Sequence, residues 1–241
     1  MSARFEELDW RPTPMGVISL RRRWDPVFRK DAYEIKLDDD FLMSSLFTVA
    51  EVEVARTALA ELEGQTDLDV AVGGLGLGLT AETVLENPNV GSMVVIDALG
   101  EVIDWHKREL IPAGATLNGD PRCRLVHGDF FAMVADSSGL DPETPGRRFH
   151  AIVVDIDHSP RHVLHPSHAP FYEPAGLRRL TELLHPGGVF TLWSNDPPDD
   201  DFTAALTEVF AEARADVVSF PNPLQDHDAT NTVYVATTAA R

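Results

Sequence analysis

The segment Val153-Val154-Asp155-Ile156-Asp157-His158-Ser159-Pro160 places two carboxylates and an imidazole within four positions. Asp155 and Asp157 can hold an ammonium group, and one of them, or His158, can accept its proton: general acid–base chemistry on an amine. Asp, Ser and Pro also suit a plain turn. A second cluster, Val72-Gly73-Gly74-Leu75-Gly76-Leu77-Gly78, offers four glycines in six positions. Backbone without a Cβ can turn tightly and approach a ligand closely, so Gly74, Gly76 and Gly78 are read as cofactor-facing. Asp97 follows at the roughly 20-residue spacing at which a carboxylate meets ribose hydroxyls; it can equally cap a helix. In Gly128-Asp129-Phe130 an acid sits beside an aromatic. Asp129 can take the exocyclic amine of an adenine while Phe130 covers the ring, or Asp129 can simply cap the next helix.

These residues need strands that end where they begin. Apolar runs occur at Leu68–Val72, Ser92–Ile96, Arg124–His127, His150–Val154 and Gly188–Trp193. Helix-like stretches alternate with them at Thr80–Leu85, Glu101–Leu110, Phe130–Ala135 and Pro174–Leu184. That alternation implies βαβ units and a parallel sheet covered on both faces. The candidate residues then fall at carboxyl ends of strands, where ligands bind in such sheets. Pro186-Gly187-Gly188 reads as a turn before the last parallel strand. Beyond a helix at Thr203–Ala213, the runs Asp216–Phe220 and Thr232–Thr237 share a short turn-rich link and should pair antiparallel. Upstream, Gly16–Arg22 and Ala32–Leu37 flank a turn at Asp25-Pro26. Residues 1–45 are expected as a small β-hairpin region and 46–241 as the catalytic domain. Thr48 with Glu51 fits a capping box that opens a helix running to Leu62.

The net charge of −19 disfavours nucleic acid and anionic lipid, which are bound by basic surfaces, and would attract a cation. A lone cysteine, Cys123, forms no internal disulfide. No apolar run approaches the roughly 20 residues of a membrane span, and the acidic N-terminus does not read as a secretory signal. A cytoplasmic protein without membrane or nucleic-acid partners is expected. His158, His162, His165 and His168 fall within eleven residues, but Pro160, Pro166 and Pro170 make this stretch a loop without cysteine. It reads as a substrate-covering loop, and no metal site is expected.

Taken together, these motifs resemble the spermidine synthase (polyamine aminopropyltransferase) family, a branch of the class I S-adenosylmethionine-dependent methyltransferase fold, over about residues 65–195. The resemblance implies an α/β, Rossmann-like fold with a mostly parallel seven-stranded sheet ending in an antiparallel hairpin. Gly73–Gly78 matches the family's glycine loop, Asp97 its ribose-binding acid, Gly128-Asp129 its adenine site and Asp155 its catalytic-loop acid. Phe171-Tyr172 begins a similar helix. Gly76 stands where the family has an acid that helps hold the amine of decarboxylated S-adenosylmethionine. His158 stands at the second acid of the family's Asp-x-x-Asp pair, with Asp157 adjacent. The implied activity moves an aminopropyl group from decarboxylated or intact S-adenosylmethionine, as co-substrate, to a small amine, a polyamine among the candidates. A homodimer is expected. The glycine at position 76 keeps open a methyltransferase using intact S-adenosylmethionine. A nicotinamide-dependent dehydrogenase fits the glycine loop and Asp97 but not the terminal hairpin, and an inactive nucleoside-binding homologue is a fourth reading.

Overall fold

The structure, a computed structural model, describes residues 5–136, 139–224 and 227–240. Two sheets organise the chain. The larger has seven strands: β5 (Leu68–Gly73), β6 (Val90–Asp97), β7 (Cys123–His127), β8 (Phe149–Val154), β9 (Leu184–Ser194), β10 (Glu212–Phe220) and β11 (Ala229–Thr237). Their spatial order is β10-β11-β9-β8-β5-β6-β7, parallel from β9 to β7, with β11 antiparallel to both β9 and β10. The continuous apolar runs reflect burial on both sides, and successive residues alternate between the two faces. Val70, Val72, Val95, Val153 and Val235 pack on one face; Ala71, Ile96, Ile152, Val154 and Tyr234 pack on the other.

Helices α1 (Val49–Ala60), α2 (Leu79–Glu86), α3 (Gly100–Lys107) and α4 (Ala113–Gly119) cover the first face. Helices α5 (Phe130–Ala135), α6 (Pro174–Glu182) and α7 (Asp200–Val209) cover the second. Helix α4 escapes a propensity reading because Gly114, Thr116, Asn118 and Gly119 are weak helix formers. Gly114 is there for space: a Cβ would lie 2.4 Å from the His106 carbonyl oxygen. Pro186-Gly187-Gly188, expected as a turn, lies inside β9 at the register shift between β8 and β9. The capping box does not form, since Thr48 makes no side-chain cap hydrogen bond. Glu51 turns inward instead.

The smaller sheet precedes α1 and is antiparallel, with strands β1 (Phe5–Thr13), β2 (Gly16–Asp25), β3 (Lys30–Leu37) and β4 (Asp40–Ser44) in sequence order. The expected hairpin is β2–β3, flanked by two further strands. The edge strand β1 has little apolar alternation; its acids meet a basic run, with Glu6 opposite Arg22 and Glu7 opposite Arg21. Ile18, Leu20 and Ile35 carry the core of the large sheet's first face into this sheet. Asp9 fixes the junction by accepting from the Trp105 indole (2.8 Å) and from Arg108 (3.0 Å) on the α3 side. Among the described residues no helix is long and apolar enough to cross a membrane.

Candidate functional site

A cleft of about 960 Å³ opens at the carboxyl ends of β5, β6 and β8, walled by the small sheet and the start of α1. That volume suits a nucleoside plus a second small molecule. Gly74, Gly76, Asp97, Asp129, Phe130, Asp155 and His158 all line it, and Gly78 and Asp157 do not.

The glycine loop owes its composition to its neighbours as much as to a ligand. Gly74 has φ +94°, and a Cβ there would lie 2.0 Å from the Asp155 carbonyl oxygen. At Gly76 a Cβ would meet the Met43 sulfur at 2.4 Å, so Met43 fills the space that an acidic side chain would need. Gly78 caps α2 and faces away from the cleft, where a Cβ would press on Ala113 and His106. The fully buried His106 supports the loop from below: its Nε2 bonds the Gly76 carbonyl at 2.9 Å. The carbonyl can only accept, so the proton sits on Nε2. Nδ1 has no hydrogen-bond partner, and burial pushes the imidazole pKa down.

Asp97, at the end of β6, is anchored by backbone amides. Its Oδ2 accepts from Leu75 N (3.0 Å) and its Oδ1 from Leu99 N (2.8 Å). Burial outweighs these bonds and raises its pKa. With the Gly76 amide also bonded to it, the carboxylate still retains at least one lone pair for a ribose hydroxyl. Charge-assisted bonds of this kind contribute roughly 1.5–3 kcal/mol each. Asp97→Ala should therefore weaken methylthioadenosine binding by about tenfold or more. Unchanged affinity in calorimetry would remove Asp97 from the nucleoside site.

Asp129 caps α5 through Oδ1, which accepts from Ala132 N. Capping thus occupies one oxygen at the cleft, and the two roles foreseen for it are compatible. Phe130 is buried against Gly73 and edge-on to Phe131 and Phe171. It joins the hydrophobic core and the cleft wall.

Asp155, just past β8, accepts a hydrogen bond from Thr80 Oγ1 at 3.0 Å. Sequence reasoning missed its companion, Glu51 of α1, which is 8% exposed and lines the same cleft. Burial, reinforced by the Asp155 charge, pushes Glu51 up to about 8. Burial pushes Asp155 up to about 6. Both carboxyls are pushed up, so near neutral pH the pair tends to share one proton rather than ionise fully.

Asp157, expected as a second amine-binding acid, is 2% exposed and already engaged by three partners. It accepts from Leu164 N (2.7 Å) and Tyr172 Oη (2.8 Å), and pairs with His168 Nδ1 (2.8 Å). It holds the loop after β8 and orients His168, which stacks on Phe131 with centroids 4.0 Å apart. Asp157→Asn turns an amide toward these donors. It should destabilise the fold by about 2–3 kcal/mol, a melting point lower by roughly 5–10 °C at this chain length. A thermal melt matching the parent's would mean that the network does not form.

His158, His165 and His168 line the cleft, so this loop forms part of its wall. His162 diverges to Asp196 at 2.6 Å. At the amino-terminal end of the neighbouring strands β5, β8 and β9, opposite the cleft, Asp69, His150 and His185 bring possible ligand atoms within 4.8 Å of one another. There His150 Nδ1 accepts the Asp69 amide at 3.0 Å, which puts the neutral ring's proton on Nε2. Asp69 Oδ1 is also taken up by Arg147 and Ser92.

No family model matches the chain. The polyamine aminopropyltransferase of Pyrobaculum arsenaticum is 28% identical over 118 residues, 49% of this chain and 39% of the relative. Polyamine aminopropyltransferase 2 of Pseudomonas aeruginosa is 26% identical over 220 residues, 83% of this chain and 58% of the relative. The chain thus spans less than two thirds of the length of these relatives. The spermidine synthase of Thermotoga maritima superposes with a TM-score of 0.70 at 16% identity, over 98% of this chain and 74% of that one. A spermidine synthase in complex with the transition state analogue AdoDATO gives 0.71 at 17% identity, with the same coverage. The chain has the fold of the spermidine synthases and is similar in sequence to polyamine aminopropyltransferases.

Proposed function

We propose that the protein transfers an aminopropyl group from decarboxylated S-adenosylmethionine to the nitrogen of a small amine. The observation that carries this reading is the charge of the cleft lining. Glu51, Asp97, Asp129 and Asp155 line it, and no Lys or Arg does so among the described residues. Both reactants suit such a lining, since the donor carries a sulfonium and an ammonium and the acceptor arrives as an ammonium. The carboxylate of intact S-adenosylmethionine would find no Lys or Arg among the described lining residues.

Asp97 and Asp129 would hold the nucleoside, and Asp155 with Glu51 the acceptor ammonium. Free amines have pKa values near that of lysine, so a proton must leave before attack. Asp155, the more acidic of the pair, takes it. The freed lone pair forms the C–N bond at the carbon beside sulfur, and the C–S bond breaks with its electrons remaining on sulfur. Methylthioadenosine then leaves as a neutral thioether. The sulfonium is already a good leaving group, so alignment and deprotonation are the protein's main contributions.

Methyl transfer from intact S-adenosylmethionine is the second reading, favoured by Gly76, where Met43 leaves no room for an acid to meet the donor's amine. Mass spectrometry of the nucleoside product separates the two. Methylthioadenosine marks aminopropyl transfer, and S-adenosylhomocysteine marks methyl transfer.

A further inference from the structure

The cleft is chemically lopsided. Its carboxyl pair, the buried Glu51 and the partly buried Asp155, lies on α1 and just past β8. The wall supplied by the small sheet is uncharged and mostly hydrocarbon, including Ile18, Ile35, Phe41 and Met43. Phe47 and Phe220 extend it, their ring centroids 6.2 Å apart. No described lining residue from β1–β4 or the turns between them carries a charge. Asp228 is the one described lining carboxylate outside the nucleoside side and the Glu51–Asp155 pair, and it is solvent-exposed just before β11.

An acceptor has to satisfy both parts of this surface. Its reacting ammonium is met by the carboxyl pair. The rest of its body has the small sheet's wall beside it. An ammonium against that wall would lose hydration without gaining a charged partner, whereas each methylene buried there favours binding by about fourfold. An exposed ion pair with Asp228 would return no more than about fivefold.

We propose that the preferred acceptor is a primary monoamine with an apolar body, seated with its nitrogen at Glu51 and Asp155 and its hydrocarbon against Ile18, Ile35, Phe41 and Phe47, and that a second terminal ammonium is selected against. The proposal rests on the transferase reading above and narrows its acceptor.

Pentylamine and 1,4-diaminobutane are nearly isosteric and differ in a terminal methyl against a terminal ammonium. In calorimetry on the protein saturated with methylthioadenosine, pentylamine should bind at least tenfold more tightly. Affinity should rise about fourfold per methylene from propylamine to pentylamine. Phe41→Glu, at a half-exposed position, places a carboxylate on the wall and should narrow the monoamine preference by tenfold or more. Equal or tighter binding of the diamine by the parent protein, or binding of neither amine, overturns the proposal. Release of methylthioadenosine from decarboxylated S-adenosylmethionine is measured separately with the same amines. Tight monoamine binding without that release would count against the transferase reading and leave the binding preference standing.

Discussion

Asp155→Asn lowers turnover by roughly 10²–10⁴, the usual contribution of a general base, while methylthioadenosine still binds. Asparagine keeps the shape and can still accept the Thr80 hydroxyl, which lies 3.0 Å from Asp155 Oδ2. Only the charge and the proton-accepting capacity are lost. Because burial places Asp155 at about 6, the parent's rate should rise with pH through that value as the carboxylate ionises. The variant's profile should lack this limb. Removing the Asp155 charge also removes one cause of the raised Glu51 pKa, so more of Glu51 is ionised near neutral pH and can supply residual activity. Asp155→Asn and Glu51→Gln should therefore combine non-additively, as neighbours in one network do. A single Asp155→Asn variant with full activity on its acceptor would end the amine-transfer mechanism.

Glu51→Gln should raise stability at alkaline pH. The folded-state pKa of Glu51, about 8, lies above its ordinary value of 4.5. Between those values the folded chain holds a proton that the unfolded chain has released. The stability linked to this group is therefore fully present below pH 4.5 and is lost as pH rises through 8. The loss by pH 8 is on the order of 4 kcal/mol. Glutamine never ionises and escapes it. Calorimetry should find the variant melting roughly 10 °C above the parent at pH 8 and close to it at pH 4. A variant melting below the parent at pH 8 would show that Glu51 is not a buried, proton-bearing carboxyl. If this holds, the site keeps a destabilising group where substrate cations are to bind, and a bound ammonium should recover part of the loss.

The parallel sheet was legible because strands buried on both faces give continuous apolar runs, and Asp97, Asp129 and Asp155 stand where those runs stop. Glu51 was not, because it fits a capping box equally well. A signal was present: Glu51, Val54, Ala55 and Ala58 share one helical face, and all are buried. A carboxylate in phase with an apolar stripe belongs to the interior or to a site, not to a cap. Asp157 misled for the opposite reason. Its two-residue spacing from Asp155 suggested a shared surface, but the chain leaves β8 between them and carries Asp157 into a network with His168 and Tyr172. That network joins residues 11 and 15 positions apart, and no local pattern reveals it. Strand β1 was hidden similarly, since what holds it is charge across the ladder to β2.

The close approach at Gly74 has a consequence for sequence drift. Any side chain there would run into the carbonyl of Asp155, 2.0 Å from the first added carbon. Backbone cannot swing aside as a flexible side chain can, so the end of β8 would have to move, and Asp155 with it. The glycine loop and Asp155 are thus one mechanical part, although they lie about 80 positions apart in the chain. Position 74 should consequently behave as invariant in a saturation library even when survivors are sorted for folding alone, with no substrate present. At position 76 the neighbour is the movable end of Met43, so the left-handed backbone (φ +46°) is what limits substitution there, and Asn and Asp should be the best tolerated under the same sorting.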